Sequence, residues 1–313
     1  MVIGSGIVNQ GGAVLLYKSK DLRRWRFVHL LAHREGNSAV AYEQPHPREV
    51  WECPEFFALR NRHVLIYSTN GKAFWQSGEL DPETMTFHPE QTGTLDYGSF
   101  YAPKTQLDKS GNRILWGWII ETRKVEEYKA SGWAGVMSLP RVLSLAPDGR
   151  IRLGVAEEVN QLRKQEQTLH VATDEKENQR QIASLRIEGR AGEILCRVRR
   201  ASEPLELSLY SGTGGTDSWP SLRHDPLRPN QISIDGQPFP LILADREDLN
   251  FRLYIDGSVI EVLLNNQIAY TKRIYPLGSS AQDLRMQWTG RTSKIVSISV
   301  WQLSPISADR LTS

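Results

Sequence analysis

Trp51-Glu52-Cys53-Pro54-Glu55-Phe56-Phe57 sets a carboxylate between an indole and a thiol and follows the pair with a proline. Proline fixes φ and cannot donate to a sheet ladder, an irregularity that loops near functional sites tolerate. An indole and a thiol on either side would partly desolvate Glu52, and desolvation disfavours the charged form of a carboxyl group. Glu52 is thus the candidate for an acid kept protonated near neutral pH, as general-acid catalysis requires. A glutamate at a strand end that simply faces water satisfies the same seven residues, because most glutamates are exposed. The sequence on either side has to separate the two readings.

Outward from this stretch the chain reads as short strands between turn clusters. Upstream lie Ala13 to Lys18 and Phe27 to Ala32, joined by the polar turn Ser19-Lys20-Asp21-Leu22-Arg23-Arg24-Trp25. Downstream lie His63 to Thr69, Phe74 to Gly78 and Arg113 to Ile120, each bounded by Gly, Asn, Asp or Pro. No helical period of useful length interrupts them, so the region is all-β, and its spacing fits propeller blades or a sandwich equally well. Beyond the turn Pro147-Asp148-Gly149-Arg150, the polar helix formers of Glu157 to Lys164 carry Val159 and Leu162 three apart and predict one short helix or helical linker. A second β-rich region, from Ile182–Ile187 to Ile295–Trp301, alternates apolar and polar residues like the half-buried strands of a sandwich. Asp256-Gly257 and Asn265-Asn266 close hairpins within it. The expected division is therefore 1–155, a helical linker over 156–166, and 167–313.

Composition narrows the function. The 313 residues carry 38 Lys and Arg against 36 Asp and Glu, and a net charge of +2 gives no reason to expect nucleic acid or an anionic membrane as partner. Nine Trp and ten Tyr are flat, amphipathic side chains, more often core than site but also the material of a sugar-binding surface. Cys53 and Cys196 alone provide neither a disulfide framework nor metal-ligand spacing, so no metal or cofactor is expected. There is no run of about 18 apolar residues and no basic segment leading into an apolar h-region, which predicts a soluble chain without a signal peptide and leaves its compartment undetermined. Met1-Val2-Ile3-Gly4-Ser5-Gly6 reads as the end of a buried strand with nothing before it to pair with.

Three further stretches stand out by residue type. Asp96-Tyr97-Gly98-Ser99-Phe100-Tyr101-Ala102-Pro103-Lys104-Thr105 crowds a carboxylate, hydroxyls and ring faces around a glycine. Arg113 to Glu121 places Trp116 and Trp118 on one face of a strand. Gly132-Trp133-Ala134-Gly135-Val136-Met137-Ser138-Leu139-Pro140-Arg141 follows. Each alone is satisfied by a strand-turn-strand with core aromatics.

Together and in this order, the four stretches resemble glycoside hydrolase family 32, the invertase, inulinase and levanase group. Trp51 to Phe57 resembles its Glu-Cys-Pro acid/base motif, the Asp-Tyr-Gly and Trp-Gly-Trp stretches its next two blocks, and Phe251 to Pro276 the strands of its C-terminal sandwich. The resemblance implies an all-β chain, part of a five-bladed β-propeller with its opening blade or blades missing, followed by a C-terminal β-sandwich. It implies a retaining glycosidase acting on β-fructofuranosyl bonds, which needs two carboxyl groups about 5 Å apart. By the same resemblance Glu52 is the acid/base and Cys53 the thiol beside it, with a small buried hydrophobe as the alternative reading of Cys53. Asp96 falls at a substrate contact on the leaving-group side, Trp118 at a wall of the fructose pocket, and Tyr97 and Tyr101 are weaker candidates. The implied partner is a fructose-containing oligo- or polysaccharide.

The departures are as informative. The family's nucleophile stands in an Asn-Asp-Pro-Asn-Gly-like block and its transition-state stabiliser in an Arg-Asp-Pro block before Glu-Cys-Pro, and neither block occurs here. Asp81-Pro82 follows Glu52 and lacks the Arg, and His224-Asp225-Pro226 lies in the second region. Met1 to Gly6 resembles the strand after the absent Arg-Asp-Pro block, so the chain is expected to enter the propeller partway, to be nearly silent by itself, and to self-associate through the open propeller edge. Ser99 stands where plant invertases often carry Lys, which leaves sucrose, inulin or levan open as substrate. A non-catalytic carbohydrate-binding or vestigial family member is the alternative.

Overall fold

A computed structural model describes residues 1–34, 48–200, 202–211, 219–245, 247–275 and 283–307. The chain divides into two compact units, Met1–Ala156 and Glu157–Ser313.

The first unit is a succession of antiparallel meanders, the arrangement of propeller blades. Strands β1 (Val2–Ile7), β2 (Gly11–Lys18) and β3 (Arg26–His33) form one sheet in that order. Strands β4 (Glu52–Leu59), β5 (Arg62–Thr69), β6 (Lys72–Leu80) and β7 (Phe87–Asp96) form the next. In the third, β9 (Arg113–Ile119) is flanked by β8 (Phe100–Leu107) on one side and by β10 (Val136–Met137) and β11 (Arg141–Leu145) on the other, with β12 (Ile151–Val155) outermost. The first two sheets share a core in which Val14, Leu16, Leu31, Leu65, Tyr67 and Phe74 close around Trp51. Trp51 is fully buried and stacks on Tyr67 with ring centroids 3.9 Å apart. That packing needs glycine opposite: a Cβ on Gly12 would lie 1.8 Å from the Trp51 ring.

The second unit pairs two six-stranded antiparallel sheets. One runs β13 (Arg163–Thr168), β24 (Ile295–Leu303), β15 (Ala191–Val198), β20 (Leu249–Asp256), β21 (Val259–Leu264) and β22 (Ile268–Arg273). The other runs β14 (Arg186–Ile187), β23 (Leu284–Thr289), β16 (Leu205–Ser211), β17 (Ser221–His224), β18 (Gln231–Ile234) and β19 (Gln237–Pro240). Alternate residues of β16 and β23 are buried, as a sandwich face requires. The sheets touch where Gly192 admits the side chain of Ile187 and where the Phe239 and Tyr270 rings lie 5.9 Å apart. Pro276, the end of the stretch compared above with the family's sandwich, lies outside the described residues.

The structure corrects the sequence reading at three helical places. Glu157–Leu162 is a short 3-10 helix, but Arg163–Thr168 is strand β13 paired to β24, so residues 163–166 are sheet and not linker. The expected strand Ile182–Ile187 is instead the end of helix α2 (Glu175–Ser184) followed by the two-residue β14. Asp174 caps α2 by accepting from the Lys176 amide at 2.9 Å, and acids fill its first turn. Only Asn178 and Ile182 of this helix are buried, and Asn178 docks by donating to Thr292 Oγ1 at 2.9 Å, so no apolar period advertises it. Helix α1 (Val125–Ser131) carries no apolar period either; it has seven residues, none buried, and stops at Gly132 in the left-handed conformation. Among the described residues no helix is long and apolar enough to cross a membrane.

Candidate active site

Glu52 opens β4, and the alternation of a strand sends it to the face opposite Trp51: the indole is buried and the carboxylate exposed. The expected desolvation by Trp51 therefore does not occur. Cys53 is exposed too, because the register slips between Glu52 and Glu55 and Cys53 sits at φ +50°. This bulge, rather than the proline alone, is the irregularity the sequence carries. It leaves carbonyls to satisfy, and Lys104 Nζ donates to those of Cys53 and Pro54 at 3.1 and 3.0 Å. The alternative reading of Cys53 as a buried hydrophobe is excluded by its exposure.

The side chain that meets Glu52 is Tyr101, whose hydroxyl donates to Glu52 Oε2. Burial first, then the hydrogen bond and charge of Glu52, push the Tyr101 phenol well above its ordinary range. Tyr101 lies in a second bulge, between Tyr101 and Lys104 on β8, where Ala102 has φ +47° and its amide donates to Ser68 Oγ at 3.0 Å. Ser68 is the β5 residue paired with Glu52, so the two bulges are tied across β5 and bring Tyr101 over Glu52. Tyr101 pairs directly with Trp118 of β9, which puts both on one face. Trp118 is 44% exposed, an available indole face. Gly135, at φ +66°, comes so close to it that a Cβ would lie 2.3 Å from Trp118 Nε1.

Asp96 and Tyr97 sit elsewhere. The registers Glu52 to Ser68, Ser68 to Ala73 and Ala73 to Asp96 place Asp96 in the same row as Glu52 but three strands away, roughly 14 Å at ordinary strand spacing. That is too far for the second carboxylate of a retaining pair. Asp96 is fully buried, with Oδ2 2.8 Å from Arg141 Nη1 and Oδ1 accepting from the Gly98 amide at 2.7 Å. Arg141, also fully buried, lies over the Phe100 ring at 4.5 Å. Lys72 Nζ donates to the carbonyls of Tyr97 and Gly98 at 2.6 and 3.0 Å, and burial lowers its pKa despite the opposing charge of Asp96. Burial raises that of Tyr97. Asp96 therefore positions the turn into β8, and the expectation that it touches substrate does not fit its burial. Of the two carboxylates nearest in sequence, Glu55 accepts from the Thr105 amide and hydroxyl at 2.8 and 2.7 Å, and Glu49 is buried against Arg34 at 2.6 Å.

Glu52, Cys53 and Trp118 thus share an exposed face with Tyr101, the weaker sequence candidate, while Asp96 and Tyr97 lie at the far strand of the sheet, at the turn into β8. Nothing in the sequence signals a role for Arg141, and that of Lys104 depends on a bulge that a strand pattern does not reveal. Among the described residues no cluster of His, Cys, Asp or Glu is suited to hold a metal.

Comparison with known proteins gives the same frame. Residues 1–154 match the model of the glycosyl hydrolases family 32 N-terminal domain, and residues 158–302 that of the family 32 C-terminal domain. A raffinose invertase of Escherichia coli is 30% identical over 315 residues, covering 90% of this chain and 60% of the relative. A sucrose-6-phosphate hydrolase of Escherichia coli is 29% identical, covering 88% and 58%. The chain thus spans less than two thirds of the length of these relatives. Among solved structures, a β-fructofuranosidase of Bombyx mori superposes with a TM-score of 0.71 at 25% identity, over 96% of this chain and 62% of that one. A fructan 1-exohydrolase of Cichorium intybus superposes at 0.68 and 21% identity over 97% and 68%, a likeness of fold. The Bombyx mori protein has been solved as a variant with sucrose and the Cichorium intybus protein as a variant with 1-kestose.

Proposed function

The chain belongs to glycosyl hydrolases family 32, and from that premise we propose that it is part of a hydrolase of β-fructofuranosyl linkages in sucrose-, inulin- or levan-type substrates. The observation that carries the reading is the exposed Glu52 carboxylate held by Tyr101 beside the open face of Trp118. In this reading Glu52 gives a proton to the leaving glycosidic oxygen while a second carboxylate attacks the anomeric carbon; Glu52 then takes a proton from the water that releases fructose. Trp118 walls the sugar, since an indole face suits the C–H side of a furanose ring. Tyr101 donates to the carboxylate and so supports the basic form needed in the second half.

Among the described residues, no carboxylate near Glu52 in sequence or register is placed to be the second one. Glu55 is occupied by Thr105, and Asp96 is buried and remote in the same sheet. The 313 residues alone are therefore proposed to turn over little or no fructan, since losing a nucleophile removes several orders of magnitude of rate. Assay of the purified chain on sucrose, inulin and levan tests this; hydrolysis that Glu52→Gln abolishes would sink the claim of silence while supporting Glu52. The same gap favours a second reading, a non-catalytic carbohydrate-binding member, which predicts 1-kestose or inulin binding with quenching of Trp118 fluorescence. Absence of binding to every fructan would dismiss it. Self-association through the outer edge of β1 is part of the proposal, and a monomer in size-exclusion chromatography would remove it.

A further inference from the structure

The hairpin tip between β2 and β3 plays no part in the site above, yet it is the most strongly charged short segment of the chain. Lys18, Lys20, Arg23, Arg24 and Arg26 stand within nine residues against the single carboxylate of Asp21. All five are exposed, and none has a carboxylate partner among the described residues. Lys18 and Arg26 are directly paired across the hairpin, and like charges in that position destabilise a sheet. A tip that only had to be soluble could relieve this with one acid. Asp21 does not do so: its Oδ1 accepts from the amides of Arg23 and Arg24 at 2.9 and 2.8 Å and fixes the turn.

The cations surround an apolar apex. Leu22 is 78% exposed and held at φ +58°, a conformation a leucine adopts only at a cost. Trp25 and Phe27 are 38% and 49% exposed, and Trp25 Nε1 donates back to the Leu22 carbonyl at 3.2 Å. The indole donor is thus already used, and the tip of a hairpin is convex, whereas a sugar-reading site is concave with free polar groups converging on it. A convex apolar apex inside a collar of long cationic side chains matches the headgroup layer of an anionic bilayer, where stems bury and charges meet lipid phosphates. At the other end of β2 and β3 Arg34 meets Glu49 at 2.6 Å, two residues before Trp51, so the tip and the approach to Glu52 lie at opposite ends of these strands. We infer that the β2–β3 hairpin tip docks onto an anionic lipid surface, with Leu22 and Trp25 entering the headgroup layer. The near-zero net charge, from which no membrane partner was expected, conceals this local density.

The test is cosedimentation of the 313-residue chain with vesicles of phosphatidylcholine alone and of phosphatidylcholine mixed with phosphatidylglycerol. Binding is expected with the mixed vesicles only and falls as salt rises. Arg23→Ala with Arg24→Ala keeps the amides that Asp21 uses and is expected to bind about 30-fold more weakly, on the order of five-fold per cation. Leu22→Asn suits the positive φ better, so it is expected to keep or raise the thermal midpoint while vesicle binding falls; that separates loss of the apex from loss of the fold. No sedimentation with mixed vesicles, or unchanged binding in both variants, overturns the inference. Retention by an acidic polysaccharide or by nucleic acid, with none by vesicles, overturns it in favour of another polyanion.

Discussion

The hydroxyl of Tyr101 and the carboxylate of Glu52 make a contact that their separation of 49 positions hides, and it can be checked without any substrate. Burial, then the Glu52 hydrogen bond, then its charge raise the Tyr101 phenol. Glu52→Gln removes the charge, weakens the hydrogen bond to one with a neutral amide oxygen and leaves the burial, so Tyr101 should ionise at lower pH in the variant than in the parent. Ultraviolet difference titration, with Tyr101→Phe made in both backgrounds to isolate the one phenol, reads this directly; an unmoved titration would mean that the pair does not form in solution. Asp96 admits an equally direct check. Breaking a buried, paired charge costs about 3–5 kcal/mol, because the partner is left uncompensated. Asp96→Leu should therefore lower the urea midpoint of the first unit sharply, and Asp96→Leu combined with Arg141→Met should recover part of the loss. A residue whose task was to touch substrate would show little change in stability.

Two bulged strands, β4 and β8, convert an ordinary meander into a site, and here the limits of the sequence are physical. The strand pattern located β2, β3, β5, β6 and β9, since short apolar runs between turn residues persist whatever their surroundings. The chemistry of its neighbours made Glu52 a candidate, and the family resemblance made Trp118 one. The strand pattern could not show that Cys53 and Ala102 hold positive φ, because this follows from register slips set by partners on other strands. The family resemblance made Asp96 a substrate contact, and a carboxylate beside Tyr-Gly reads alike whether it faces sugar or Arg141. At this scale Gly135 is the sensitive point. Gly135→Ala adds a Cβ 2.3 Å from Trp118 Nε1 at a residue already at φ +66°, so the indole must move. The expected result is a shifted Trp emission and weakened fructan binding, with a stability loss of about 1–3 kcal/mol from overpacking. Unchanged emission would mean that the β9–β10 approach is looser than described.

Two units of nearly equal length share the chain, and the sequence carries their different textures: continuous short strands first, alternating half-buried strands second. What composition could not convey is where charge is buried, and in the second unit this sets a response to pH. His224 of β17 is almost fully buried, and burial, with Arg200 acting the same way, lowers its pKa against the opposing effects of the Pro229 carbonyl and Asp225. Below the ordinary value of 6.5 the unfolded chain takes up a proton that the folded chain declines. The unfolded state then binds more protons, so stability must fall as pH drops through 6.5 toward the lowered folded value, and level off once the folded chain is protonated as well. Glu193 acts in a lower window. Burial disfavours its charge, but Arg163 and Arg252 outweigh burial and hold its pKa below 4.5, so its contribution persists until pH falls beneath that value. Urea midpoints of the second unit measured between pH 7.5 and the Glu193 window, roughly pH 5, should therefore decline for the parent and stay nearly flat for His224→Leu, which keeps an apolar side chain in place of the ring; His63, whose pKa burial also lowers, lies in the first unit. An equal decline in both proteins would assign the acid sensitivity to groups other than His224.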